Sequence, residues 1–102
     1  MEAKTYQIGD SIRLSVLFQT LDFAPTDPAA IKVRIMKPSG TIVILTYGIG
    51  TEVVRDSAGT YHADFIPADN TEAGDWYYRW EGTGTLQAAN EGIFKVRPSP
   101  FF

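Results

Sequence analysis

At 102 residues, 44% of them apolar, the chain has enough hydrophobic surface for one core and too little length for a second. Its formal charge of −3, with nine basic residues scattered along the sequence, lacks the clustered Lys and Arg that a nucleic-acid surface needs to neutralise phosphates. The absence of cysteine excludes disulfides, thiol catalysis, iron–sulfur clusters and cysteine-based zinc sites.

The opening run from Met1 to Asp10 has neither a basic start nor an apolar stretch, and no later run approaches the length of a membrane span. These features predict an untargeted cytoplasmic product with no membrane contact. Gly9-Asp10 forms a turn. Ile12, Leu14, Val16 and Phe18 then alternate with Ser11, Arg13, Ser15, Leu17 and Gln19, the period of two of a strand with one face on a core. Leu21 to Ala30 carries Pro25, Pro28, Asp22 and Asp27, a composition that cannot sustain a ladder and predicts a connecting loop. In Ile31 to Lys37, apolar and mostly basic positions alternate, giving a second core strand with a solvated face.

Lys37-Pro-Ser-Gly40 supplies the residues of a reversal, and the β-branched run Thr41 to Tyr47 is expected to pair back as a hairpin. Both of its faces are apolar, as for a strand lying under a neighbour or holding one face for a partner. Thr51 to Arg55 is a short strand, and Asp56 to Gly59 turns into Thr60 to Ile66, where Tyr61, Ala63 and Phe65 share a face. After the loop Pro67 to Gly74, with room for a helix only as a single turn near Pro67 to Ala73, the strand Asp75 to Glu81 places Trp76, Tyr78 and Trp80 inward and Tyr77, Arg79 and Glu81 outward. Ile93 to Arg97 closes the series. Seven such strands with turn residues between them predict an all-β, two-sheet sandwich, with a six-stranded barrel as the rival because alternation does not say whether a sheet closes. The division expected is a domain over residues 1–97 and an extended tail over 98–102.

Glu72-x-Gly74-x-Trp76, entering the second-to-last strand, resembles the corner of immunoglobulin-like domains, with Trp76 where a Tyr usually stands and Tyr78 at the place of the second core cysteine. Leu14 or Val16 would hold the partner position, so aromatic and aliphatic packing replaces the bridge. More of the chain is similar to the small immunoglobulin-like structural proteins of tailed bacteriophages. The matching pieces are Tyr6-x-x-Gly9-Asp10, Asp27-Pro28, Lys37-Pro-Ser-Gly40, Gly59-x-Tyr61-x-Ala63-x-Phe65, Gly74-Asp-Trp76, Tyr78-Arg-Trp80-x-Gly82 and Phe94-x-Val96-Arg-Pro-Ser-Pro-Phe101. The resemblance implies an immunoglobulin-like sandwich without a disulfide. It also implies a noncatalytic virion component at a capsid, neck or tail interface, bound to other virion proteins in symmetric copies and able to form homo-oligomers. The alternative is a bacterial surface adhesion or carbohydrate-binding module of the same architecture.

No catalytic, cofactor-binding or metal-binding residue is expected. His62 and Asp64 share an outward strand face, but a general base also needs a nucleophile and an oxyanion site, and Ser57 lies across a turn in no nucleophile motif. The pair reads as solvated strand residues. Asp69, Asn70, Glu72 and Asp75 could offer oxygens to calcium, yet their spacing matches no calcium loop and turn capping explains them. Gly48-Ile-Gly50 and Gly82-Thr-Gly84 precede no helix and are turns rather than phosphate loops. The expected partner contacts are Phe101 and Phe102, two terminal rings that cannot both enter one core behind Pro98 and Pro100. To these we add Leu86, in a polar loop running from Gly82 to Gly92, and Ile42, Val43, Ile44 and Leu45 in the doubly apolar strand.

Overall fold

The alternating segments become strands. The computed structural model describes residues 4–65, 73–84 and 86–98, and eight strands follow one another within them: β1 (Lys4–Gln7), β2 (Ile12–Leu17), β3 (Ala30–Met36), β4 (Ile42–Thr46), β5 (Val53–Ser57), β6 (Thr60–Phe65), β7 (Gly74–Thr83) and β8 (Ala88–Arg97). No helix occurs among the described residues. The strands form one sheet of five in the order β1-β8-β7-β3-β4 and another of three in the order β2-β6-β5. Two separate sheets with free edges replace the closed barrel considered as a rival.

One core lies between them. Ile12, Leu14 and Val16 from β2, Val53 from β5 and Tyr61 and Ala63 from β6 meet Ile31, Val33 and Ile35 from β3, Trp76 and Trp80 from β7 and Phe94 and Val96 from β8. Alternation fixes this outcome, because a slip of one residue in any of these strands would turn its whole apolar set to water. The tryptophans dominate: each removes roughly 200 Å² from solvent, about 5 kcal/mol of gross transfer energy apiece before ordering costs. Trp76 stacks on Phe94 at 5.7 Å, and Phe18 meets Trp80 edge-on at 6.5 Å. Tyr78 shares their face but is only half-buried, over Gly92, its cross-strand partner. A Cβ at Gly92 would collide with the Tyr78 ring, so glycine is required there for the ring to lie flat on the strand.

Two expectations need correction. Among the described residues the strand count is eight rather than seven, because Lys4–Gln7 pairs parallel with β8, Lys4 opposite Phe94 and Gln7 opposite Arg97. With one apolar residue in four, that segment has no alternation to read; pairing with β8, and Tyr6 set edge-on to Phe94 at 5.7 Å, holds it in place. The polar loop expected from Gly82 to Gly92 is mostly ladder, since β7 runs to Thr83 and β8 starts at Ala88, with Gly82 opposite Ala88 and Tyr78 opposite Gly92. Backbone hydrogen bonds to a long neighbour hold a polar, glycine-bearing stretch extended despite its composition. The helical turn expected within Pro67 to Ala73 falls almost wholly outside the described residues.

Candidate interaction surface

The outer face of the large sheet is built from residues that alternate with the core. Register brings them into three rows crossing four strands, β4 to β8 by way of β3 and β7. The first row is Ile42, Met36, Tyr77 and Ile93; the second is Ile44, Arg34, Arg79 and Glu91; the third is Thr46, Lys32, Glu81 and Ala89. The first row is apolar throughout, and Ile42, Met36 and Tyr77 are exposed, Tyr77 at 49%. Together with Tyr78, Gly92 and the flanking Arg34, Arg79 and Glu91 they line a shallow groove of about 460 Å³.

The other two rows tie up their own charges. Arg34 Nε donates to Glu81 Oε1 at 2.9 Å, Arg79 Nε to Glu81 Oε2 at 3.1 Å and Arg79 Nη1 to Glu91 Oε2 at 2.6 Å. Lys32 Nζ lies 3.7 Å from Glu81. The hydrogen bonds from Arg79 and then Arg34 hold the Glu81 carboxyl below its ordinary range. Isolated surface pairs contribute little to stability, but this network fixes the long side chains beside the apolar row.

Ile42, Val43 and Ile44 are exposed, Ile44 at 52%, whereas Leu45 packs against the core. The expected contact segment therefore splits by alternation: Ile42 and Ile44 face out, while Val43 shares the inner face with Leu45 and stays exposed at the sheet edge. Leu86 is partly buried against the core cluster, in the short turn that remains between β7 and β8. Phe101 and Phe102 lie outside the described residues.

A second apolar feature was not legible in the sequence. The loop after β2 is closed by an isolated bridge between Gln19 and Pro25. Thr20 N donates to Ala24 O at 2.9 Å, Phe23 N to Thr20 O at 2.9 Å and Ala24 N to Thr20 Oγ1 at 3.2 Å. At its tip Leu21 is 99% exposed and Phe23 76% exposed, and Phe23 is held at φ +65°, a left-handed conformation that strains a bulky residue.

The titratable clusters lie elsewhere. Asp27, just before β3, accepts from Arg55 Nη2 at 3.0 Å, from the Gly59 N–H at 2.8 Å and from the Tyr61 hydroxyl at 2.9 Å. Those bonds, Arg55 foremost, hold its carboxyl down to about 2. Burial, followed by the bond to Asp27, pushes the Tyr61 hydroxyl up to about 12. This cluster ties the loop before β3 to the β5–β6 hairpin and needs no ligand to explain it. On the small sheet, Arg13 forks onto Asp64 at 2.7 and 2.8 Å, which lowers the Asp64 carboxyl. His62 lies between two carboxylates, its Nδ1 2.8 Å from Asp56 and its Nε2 3.7 Å from Asp64. Its side chain is largely covered whereas that of Asp64 is about half exposed, so the reading of the pair as solvated strand residues holds for Asp64 and is corrected for His62. Of the acidic loop only Asp75 is described, and it is exposed; Asp69, Asn70 and Glu72 lie outside the described residues.

No protein-family model matches the chain, and a search of curated proteins finds no significant match.

Proposed function

We propose that this chain is a noncatalytic, immunoglobulin-like β-sandwich of a tailed-phage particle, working by contact with other virion proteins at a capsid, neck or tail interface. The observation that carries the contact role is the outer face of the large sheet. A row of apolar side chains crosses four strands beside charges already paired with one another, and next to it β4 leaves its own apolar residues exposed. Such a surface loses little by desolvation and gains about 25 cal/mol for each Å² of apolar area covered. The noncatalytic part is supported by the His62 geometry, in which one ring nitrogen faces Asp56 on the neighbouring strand and the other Asp64 on its own strand, with carboxylates rather than a hydroxyl as the partners of both. The phage setting draws on the sequence resemblance, and the immunoglobulin-like class on two facing sheets with Trp76 and Trp80 in the central strand of the larger one.

Mass spectrometry and sedimentation of particles, purified from cells in which genes neighbouring this one are expressed, test the reading. The expected outcome is co-sedimentation in a fixed ratio to a capsid or tail protein. The Phe101→Ser, Phe102→Ser double variant keeps its fold and drops out of the particle; loss of fold instead would place the rings in the core. Neighbouring genes for surface anchoring, with no particle association, would defeat the phage setting.

One observation favours a second reading, a surface adhesion or carbohydrate-binding module. Tyr77 is a half-exposed ring in a groove flanked by Arg79 and Glu91, a stacking platform with hydrogen-bonding groups beside it. Glycan-array binding lost in Tyr77→Ala would support that reading, and an empty array would remove it.

A further inference from the structure

Among the described residues, two open sheets present four edges: β1 and β4 in the large sheet, β2 and β5 in the small one. Unpaired edge backbone invites another strand, and proteins blunt it with charge, shortness, proline or bulges. β1 is four residues long and carries Lys4, β2 carries Arg13, and β5 carries Arg55 and Asp56 with a register shift between Arg55 and Ser57. β4, five residues long, has neither charge, proline nor bulge: Thr41 to Tyr47 contains no charge and no proline, and its register against β3 is unbroken.

We propose that β4 pairs antiparallel with β4 of a second copy about a two-fold axis at Ile44, joining two large sheets into one. The inference deepens the assembly reading and rests on it in one respect, that the domain acts through contact with other chains.

The backbone directions set the register. Lys37 N donates to Thr41 O at 2.9 Å and Tyr47 N to Ile31 O at 3.0 Å. Alternate residues of an antiparallel strand face its partner, so Thr41, Val43, Leu45 and Tyr47 address β3 while Ile42, Ile44 and Thr46 turn their N–H and C=O groups outward. These three residues are symmetric about Ile44. A two-fold there sets Ile44 against its counterpart and Ile42 against the other copy's Thr46, and gives every outward N–H of the strand an acceptor. The Thr46 carbonyl already accepts from Ile49 N at 3.1 Å, and its second lone pair receives the new bond.

Side chains and charges agree with a second copy as the occupant. Val43 would oppose the partner's Leu45 on the inner face and Ile44 its own counterpart on the outer, apolar pairs of the kind that stabilise ladders. The nearest cation is Arg34, already bonded to Glu81. The two Arg34 side chains would stand three strand spacings apart, roughly 14 Å, beyond the Debye length of about 8 Å at physiological salt. A five-residue edge covers less than the roughly 800 Å² per partner of a standard interface. The dimer is therefore concentration-dependent alone and is reinforced wherever symmetry holds copies together.

Light scattering and analytical ultracentrifugation of the full chain, from about 10 μM to about 1 mM, should show a mass rising from one chain toward two, given the small interface. Ile44→Lys sets two cations opposite each other and should raise the dissociation constant about a hundredfold or more, with circular dichroism unchanged because Ile44 is exposed. A register test stands independently of that variant. Across the axis, paired Cα atoms lie about 5.5 Å apart, within disulfide reach. The two Ile42 positions would be more than about 12 Å apart. In this cysteine-free chain, mild oxidation should cross-link Ile44→Cys and leave Ile42→Cys uncoupled. Equal cross-linking at both positions, or a strict monomer with no Ile44→Cys cross-link, overturns the proposal. Particle co-sedimentation of such a monomer would leave the assembly reading standing and remove the two-fold pairing alone.

Discussion

Asp27 and Phe23 show how much single residues contribute to this molecule. Asp27 collects donors from Arg55, Gly59 and Tyr61, and its folded carboxyl titrates near 2 against an ordinary 3.8. A carboxyl lowered on folding stabilises the fold above its unfolded pKa and loses that contribution as protons fill it. The Asp27 contribution is thus complete above about pH 4 and fades toward pH 2. Asp27→Asn should lower the denaturation midpoint at pH 7 and flatten the decline between pH 4 and 2, as read by urea titrations across that range. Phe23 makes the opposite case. Its left-handed backbone costs a bulky side chain about 1 kcal/mol, a penalty Asn largely avoids. Phe23→Asn should therefore raise the thermal midpoint by about 4–8 °C while removing one of the two apolar groups at the loop tip. Gly59 also sits at positive φ, +74°, where a Cβ would meet the Phe18 carbonyl and the Thr26 amide. Gly59→Ala should cost more than about 2 kcal/mol in equilibrium unfolding.

Among the elements, the strands with the clearest alternation were the most readable. Ile12 to Phe18 and Ile31 to Ile35 declare their buried faces outright, and Trp76 and Trp80 mark the inward side of β7. Where neighbours rather than composition hold a segment extended, the sequence was silent. Lys4–Gln7 becomes a strand because β8 offers it a ladder, and Ala88 to Gly92 because β7 does. The edge position of β4 was equally hidden, since an apolar run reads alike with one neighbour or two. The candidate surface was legible only at Ile42 and Ile44, in their apolar run, for a related reason: Ile42, Met36, Tyr77 and Ile93 come from four different strands and meet only through register. The Asp27 cluster likewise joins positions about thirty residues apart. The weight that β1 carries can be measured. Tyr6 covers Phe94, and Tyr6→Ala should cost about 2 kcal/mol, less than a fully buried ring would.

For the whole molecule, acid and alkaline stability come from the same tie. Asp64 and Glu81 are lowered as well, so the acid limb should draw on all three carboxylates and complete its fall below their ordinary values of 3.8 and 4.5. Tyr61 acts in the other direction. A phenol raised on folding stabilises the fold below its unfolded pKa of 10.0 and loses that contribution as pH climbs toward about 12. The stability profile should thus be a plateau from about pH 5 to about pH 10 with a shoulder on each side. Tyr61→Phe should shrink the alkaline shoulder, as read by thermal melts above pH 10, leaving the part that comes from Tyr6, whose hydroxyl is also pushed up by burial.

The parallel pairing of β1 with β8 has a mechanical consequence. Tension entering ahead of Lys4 and leaving beyond Arg97 would draw the two strands lengthwise past one another. The bonds of that four-residue overlap would then be strained together instead of parting one at a time. A domain strung this way resists stretching along its chain far better than peeling from the side. It is a clasp that holds when pulled end to end.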